Sequence, residues 1–142
     1  MVMDADYSKK TGRLLGIYAS ILGAATLAVG LLEIFGGWGD AIPGDLFGGL
    51  VLMVTSAAYL LGVKGTVAGR YEGLSFVVGG LFLTAVFGFL YLLLAGAEAL
   101  MYLLGEAQAF PELLDLRPEV WISLLSLPLV VRVRRLLVGM AW

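Results

Sequence analysis

The residues of this chain with the clearest chemical potential are three acids at the ends of long apolar stretches. Glu33 lies near the end of the first stretch, Asp45 directly before the second, and Glu98 near the end of the third. If these stretches are antiparallel membrane helices, the three acids face the same side of the membrane, where they can gather a cation. The alternative is that each is a separate, hydrated carboxylate at the membrane interface.

The sequence excludes several other kinds of site. It contains no Cys and no His, so disulfides, thiolate nucleophiles and histidine metal ligands are all ruled out. No hydroxyl lies beside a group that could act as its general base, so we expect no enzymatic activity and neither a cofactor nor a metal. No nucleic-acid partner is expected either. The absence of Asn and the single Gln, Gln108, are typical of a thermophile's protein, although a membrane composition alone also depletes amides.

The composition requires a lipid environment. Of 142 residues, 61% are hydrophobic and 14% charged, with a mean hydropathy of +0.98, whereas soluble domains carry about 25% charged residues. Four apolar segments, near residues 14–35, 46–63, 74–97 and 120–138, approach the roughly 20 residues that a membrane-spanning helix needs. The predicted fold is all-α, an integral membrane four-helix bundle forming one domain over residues 1–142, with an outer loop at 105–119.

The distribution of basic residues predicts the orientation. If the chain spans the membrane four times, only Arg117 of its nine basic residues lies on the side opposite the termini. The other eight lie on the side of the termini: Lys9, Lys10, Arg13, Lys64, Arg70, Arg132, Arg134 and Arg135. Because basic residues are retained in the cytoplasm, we expect a multi-pass protein of the cell membrane with both termini cytoplasmic.

Small residues at a spacing of four predict where the helices pack. One row contains Gly16, Ser20 and Ala24, and another contains Gly80, Thr84 and Gly88. Small residues let membrane helices approach closely, either within the bundle or against a different subunit.

Arg132 and Arg135 share a face of the fourth segment. We expect them to contact anionic lipid headgroups of the inner leaflet, or an acid on a partner.

One segment resembles a known family. Residues 43–52, Pro-Gly-Asp-Leu-Phe-Gly-Gly-Leu-Val-Leu, resemble the Pro-Gly-Gly-Gly-Phe-x-Gly-Gly segment of the small B-type subunits of multisubunit cation/proton antiporters. Those subunits also occur in archaeal membrane-bound hydrogenase complexes. The resemblance covers about a dozen residues, and Asp45 and Leu46 replace two of its glycines. It implies an accessory subunit beside a proton- or sodium-translocating channel.

Two functions follow as expectations. The first is a non-catalytic membrane subunit of a larger complex, ion-translocating or respiratory, with other membrane subunits as partners. The alternative is a homo-oligomeric transporter or channel for a cation, in which Glu33, Asp45 and Glu98 collect the ion.

Overall fold

A computed structural model describes residues 7–39, 42–111 and 116–140. These residues form helices α1 (Lys9–Ile34), α2 (Leu46–Val67), α3 (Tyr71–Leu103) and α4 (Pro118–Met140), and a small hairpin of β1 (Gly37–Trp38) and β2 (Ile42–Pro43). Within this part of the chain, α1, α2 and α3 are long and apolar enough to cross a membrane. The predicted all-α membrane bundle is therefore confirmed. Residues 112–115 of the predicted outer loop lie outside the described ranges.

The helices extend beyond the apolar segments that predicted them. The first begins at Lys9 rather than Leu14, and α3 continues past Ala97 to Leu103, so that Glu98 lies inside a helix. Helical hydrogen bonds join backbone groups within the segment, so a helix does not have to stop where its side chains become polar. The fourth begins at Pro118, whose missing N–H costs nothing in the first helical turn.

The four helices form a ring in which consecutive helices are antiparallel neighbours. α1 packs on α2 and α4, and α3 packs on the same two helices. The end of the bundle where α1 ends and where α2 and α4 begin is called the carboxylate end below. The opposite end, where α1 and α3 begin, carries Lys9, Arg13, Lys64 and Arg70 and is called the basic end.

The α1–α2 contact depends on small residues at alternating spacings of three and four. Gly16, Ala19, Gly23 and Gly30 are buried, whereas Ser20 is half-buried and Ala24 is exposed. A strict spacing of four drifts about 40° around the helix at each step, while alternating steps stay on one face. The predicted row therefore begins on the packed face at Gly16 and leaves it by Ala24. Across this contact, the Ser56 hydroxyl donates a hydrogen bond of 2.8 Å to the carbonyl of Gly23.

The predicted row on α3 lies in the interfaces with its two neighbours. Gly80 contacts the ring of Tyr59, and the hydroxyls of Tyr59 and Thr84 are hydrogen-bonded at 2.6 Å in the bundle core. Gly88 contacts Ser123 of α4. Nearer the basic end, an apolar cleft of about 470 Å³ opens between α3 and α4, with Leu81, Phe82, Val130 and Val133 among its lining residues.

The closest backbone approach between α2 and α3 gives a first test. A Cβ atom on Gly73 would lie 2.6 Å from the Cα atom of Gly65, so Gly73→Ala must separate the two helices. We expect a loss of about 2–3 kcal/mol in the free energy of unfolding, the usual cost of overpacking. Gly79→Ala is the matched control on the same helix, because a Cβ there meets no atom within 4 Å. Equal melting temperatures of the two variants in detergent would contradict the packing described.

Candidate functional site

Three carboxylates from different helix ends meet at Gly48. A Cβ atom on this glycine would lie 2.7 Å from Oε1 of Glu119, 2.8 Å from Oε2 of Glu33 and 2.9 Å from Oδ2 of Asp45. Any two of these oxygens are therefore less than about 6 Å apart. We call Glu33, Asp45 and Glu119, together with the adjacent Arg117 and Tyr91, the carboxylate cluster.

The local structure at the helix ends positions the three acids. Asp45 caps the N-terminus of α2, where its Oδ1 accepts a hydrogen bond of 3.0 Å from the backbone N–H of Phe47. The backbone N–H of Asp45 in turn donates to the carbonyl of Glu33 at 3.0 Å, which holds the end of α1 against the start of α2. Glu119 lies in the first turn of α4, where the helix dipole stabilises a negative charge.

Arg117 and Tyr91 complete the cluster. A terminal nitrogen of Arg117 forms an ion pair with Oδ2 of Asp45, and its Nε lies 3.6 Å from Oε2 of Glu119. The guanidinium also lies 4.6 Å from the ring centroid of Tyr91, in cation–π range. The Tyr91 hydroxyl donates a hydrogen bond of 3.2 Å to the same Asp45 oxygen. Asp45 is therefore the acid with the most partners.

The ionisation of Asp45 and Arg117 follows from these contacts. Burial alone raises the pKa of Asp45, but the hydrogen bond from the Gly48 backbone and the Arg117 guanidinium together lower it below its ordinary value. Burial alone lowers the pKa of Arg117, but Glu119 and Asp45 raise it above its ordinary value. Since an unfolded aspartate has a pKa of about 3.9, the ion pair stabilises the fold above about pH 4. That contribution is lost only as the pH falls through the lower folded pKa.

Glu33 and Glu119 differ from Asp45 in lacking hydrogen-bond partners. Glu33 is 1% exposed and Glu119 is 2% exposed. Within the described ranges, neither oxygen of either side chain has a hydrogen-bond partner. A buried carboxylate without hydrogen bonds is costly because water no longer solvates its charge. Two such groups at one point are the least expected feature of the molecule.

The structure brings together only part of the predicted set of acids. Glu33 and Asp45 meet as predicted, but Glu98 is exposed and stays outside the cluster. It lines a small pocket of about 150 Å³ that also contacts Tyr91 and Arg117. Arg132 and Arg135 are exposed on α4 toward the basic end. Their predicted contacts with lipid or a partner stay predictions.

Glu119, Arg117 and Tyr91 were not predicted from the sequence as members of this site. A signal for two of them was present. Arg117 is the only basic residue predicted on the outer side, and it lies two residues before Glu119 at the start of the fourth segment. Antiparallel helices place that start beside Glu33. Nothing in the sequence pattern distinguishes Tyr91 from the other aromatic residues of α3.

The fold and the cluster define a small, all-α integral membrane protein with ionisable groups buried at one end. The family described as MJ0565 integral membrane domain matches residues 6–135, and the chain belongs to that family. The match contains every residue of the carboxylate cluster. No curated protein and no solved structure matches the chain.

The central role of Arg117 gives a second test. In Arg117→Leu, the buried acids lose their counter-charge, and we expect a loss of about 3–5 kcal/mol in stability at pH 7. The matched control is Arg70→Leu, since Arg70 pairs with Glu72 in an exposed ion pair at 2.6 Å; such pairs contribute about 1 kcal/mol or less. Chemical unfolding in detergent measures both. A loss at Arg117 no larger than that at Arg70 would contradict the importance of this contact.

Proposed function

We propose that this protein is a non-catalytic subunit of a larger membrane complex, ion-translocating or respiratory. The observation that carries the proposal is the projection of α3 beyond the bundle. Tyr91 is the member of the carboxylate cluster that lies on α3. After it, α3 continues for twelve residues to Leu103, or about 18 Å. This segment, residues 92–103, is called the α3 extension below.

The α3 extension exposes large apolar side chains along its length. They include Leu92, Leu93, Leu94, Leu100, Met101, Tyr102 and Leu103. The 33 residues of α3 measure about 50 Å, whereas the hydrocarbon core is about 30 Å thick and the 22 residues of α2 already match it. If the bundle stands upright in the membrane, the α3 extension therefore projects beyond the hydrocarbon core. A neighbouring subunit is the partner that we propose covers it.

Two further features support a place in an ion-translocating complex. The carboxylate cluster provides titratable groups at one end, but no Asp, Glu, Lys or Arg occurs in residues 14–32, 46–63 or 120–131 of the helices leading away from it. A proton relay across the membrane requires titratable groups at intermediate depth, which another subunit would supply. In addition, residues 43–52, which resemble the B-type antiporter subunits, include Asp45 and Gly48 of this site.

Purification from the host's own membranes tests the proposal. We expect native mass spectrometry in mild detergent to detect stoichiometric foreign subunits with the wild-type chain. Leu93→Ala/Leu100→Ala removes exposed side chains from one face of the α3 extension and should reduce co-purification at least tenfold. Ile17→Ala/Ile21→Ala is the matched control, because those side chains are equally exposed but lie on α1 within the bundle. Partner loss in both variants, or in neither, would contradict docking at the extension.

The alternative function is a homo-oligomeric transporter or channel for a cation. It is favoured by the meeting of Glu33 and Asp45, which were both predicted to face the ion. A homo-oligomer without foreign subunits in the same mass spectrum would replace the first proposal with this one. The purified protein alone would then carry cation flux in liposomes, and Asp45→Asn would reduce it.

We also propose that both termini are cytoplasmic, on the strength of the basic residues at that end of the bundle. The absence of Cys makes the test direct, since any introduced cysteine is the sole labelling site. In intact cells, a membrane-impermeant maleimide should label Glu106→Cys but not Ser8→Cys, both of which replace exposed residues. The reverse pattern would invert the topology.

A further inference from the structure

We propose that Glu33 and Glu119 form a proton-binding site that holds one proton at neutral pH, with the O–H bond on Glu33. The site lies within a single chain and requires no partner subunit. The two side chains are in an unusual state. Both are more than nine-tenths buried, and within the described residues neither has a hydrogen-bond partner for either oxygen.

Like charges at this separation oppose each other strongly in a buried site. One oxygen of Glu33 and one of Glu119 approach the same point beside Gly48 at 2.8 and 2.7 Å. Two carboxylates that share a site with little water do not both ionise, so one takes up a proton or a cation neutralises them. The choice between proton and cation depends on the other charged and titratable groups that face the pair.

Each neighbouring element contributes such a group. Asp45 at the start of α2 is negative and paired with Arg117, which precedes α4, and Tyr91 from α3 donates its hydroxyl to Asp45. With every acid ionised, the cluster would carry three negative charges and one positive charge. One proton on the pair leaves a net charge of −1. The proton comes from water at the carboxylate end and returns to it.

The same neighbours favour a proton over a metal cation. The guanidinium of Arg117 already lies 3.6 Å from Glu119 and repels a second cation. Over the residues that the structure describes, no group of three or more acids has the geometry to hold a metal ion. A proton needs a single oxygen for its O–H bond and no coordination shell. The buried pair meets that requirement.

The helices make the two carboxyl groups unequal, which places the proton on Glu33. Glu119 lies in the first turn of α4, where the helix dipole is positive, and of the two acids without hydrogen bonds it is the one that forms an ion pair with Arg117. Glu33 lies in the last turn of α1, where the dipole is negative and disfavours a carboxylate. The charge therefore resides on Glu119 and the proton on Glu33.

Infrared spectroscopy of the purified protein tests the site directly, because the C=O stretch of a protonated carboxyl group is separate from carboxylate bands. At pH 7 we expect a band corresponding to one protonated carboxyl per chain. Glu33→Gln should remove at least nine-tenths of it, because this substitution removes the carboxyl group on which the proton is proposed to lie. Glu119→Gln should shift the band, because it removes the negative charge that lies closest to the protonated carboxyl group of Glu33. Glu98→Gln is the matched control and should leave it unchanged.

Several results would overturn the proposal. These are no such band in the wild type at pH 7, an intact band in Glu33→Gln, or an unshifted band in Glu119→Gln. Circular dichroism establishes that each variant retains its helices. If a variant unfolds, the test is made on the wild type alone, by comparing its protonated-carboxyl band in sodium chloride and in choline chloride. A band that is equal in both salts supports a proton, whereas a band lost in sodium shows that a cation occupies the site.

Discussion

The close approach of helix backbones at glycines is the constraint on which the rest of this structure depends. At Gly48, the missing side chain provides the space in which oxygens of Glu33, Asp45 and Glu119 meet. Farther along the bundle, Gly16 and Gly23 bring α1 against α2, and Gly65 and Gly73 bring α2 against α3. In a bilayer, helices gain nothing from hiding apolar surface from water, so such contacts must supply the association energy. The site and the bundle are products of the same packing.

This origin also explains how Asp45 is stabilised at the edge of the fold. The cluster lies where three helix ends, and not helix middles, come together, so backbone groups of these ends are available as partners. Asp45 uses two of them, through Phe47 and Gly48. Arg117 brings the only basic side chain at this end among the described residues, and it lies on Asp45 with Glu119 close by. Glu33 has no hydrogen bond to either group, which makes it the least stabilised acid of the cluster.

Much of the fold was predictable because membrane helices are specified by length and hydropathy. The four helices occur where the apolar segments lie, and the row of Gly80, Thr84 and Gly88 packs as small residues should. The exact face of α1 was not predictable, because spacing alone does not reveal whether a row follows its neighbour or drifts away, as it does at Ala24. The site was half predictable. Antiparallel pairing brings Glu33 and Asp45 to one end. Whether Glu119 or Glu98 joins them in the carboxylate cluster depends on how far α3 continues past the bundle.

The contact between α3 and α4 is close at Gly88 and open nearer the basic end. The helices α1, α2 and α3 are joined by backbone contacts at glycines, which allow little sliding without a clash. The fourth helix also has a close contact with α3, between Gly88 and Ser123, and it borders an apolar space of about 470 Å³ nearer the basic end. Since that helix carries Glu119 and follows Arg117, any rocking of α4 on this seam would change the spacing of charges at its far end.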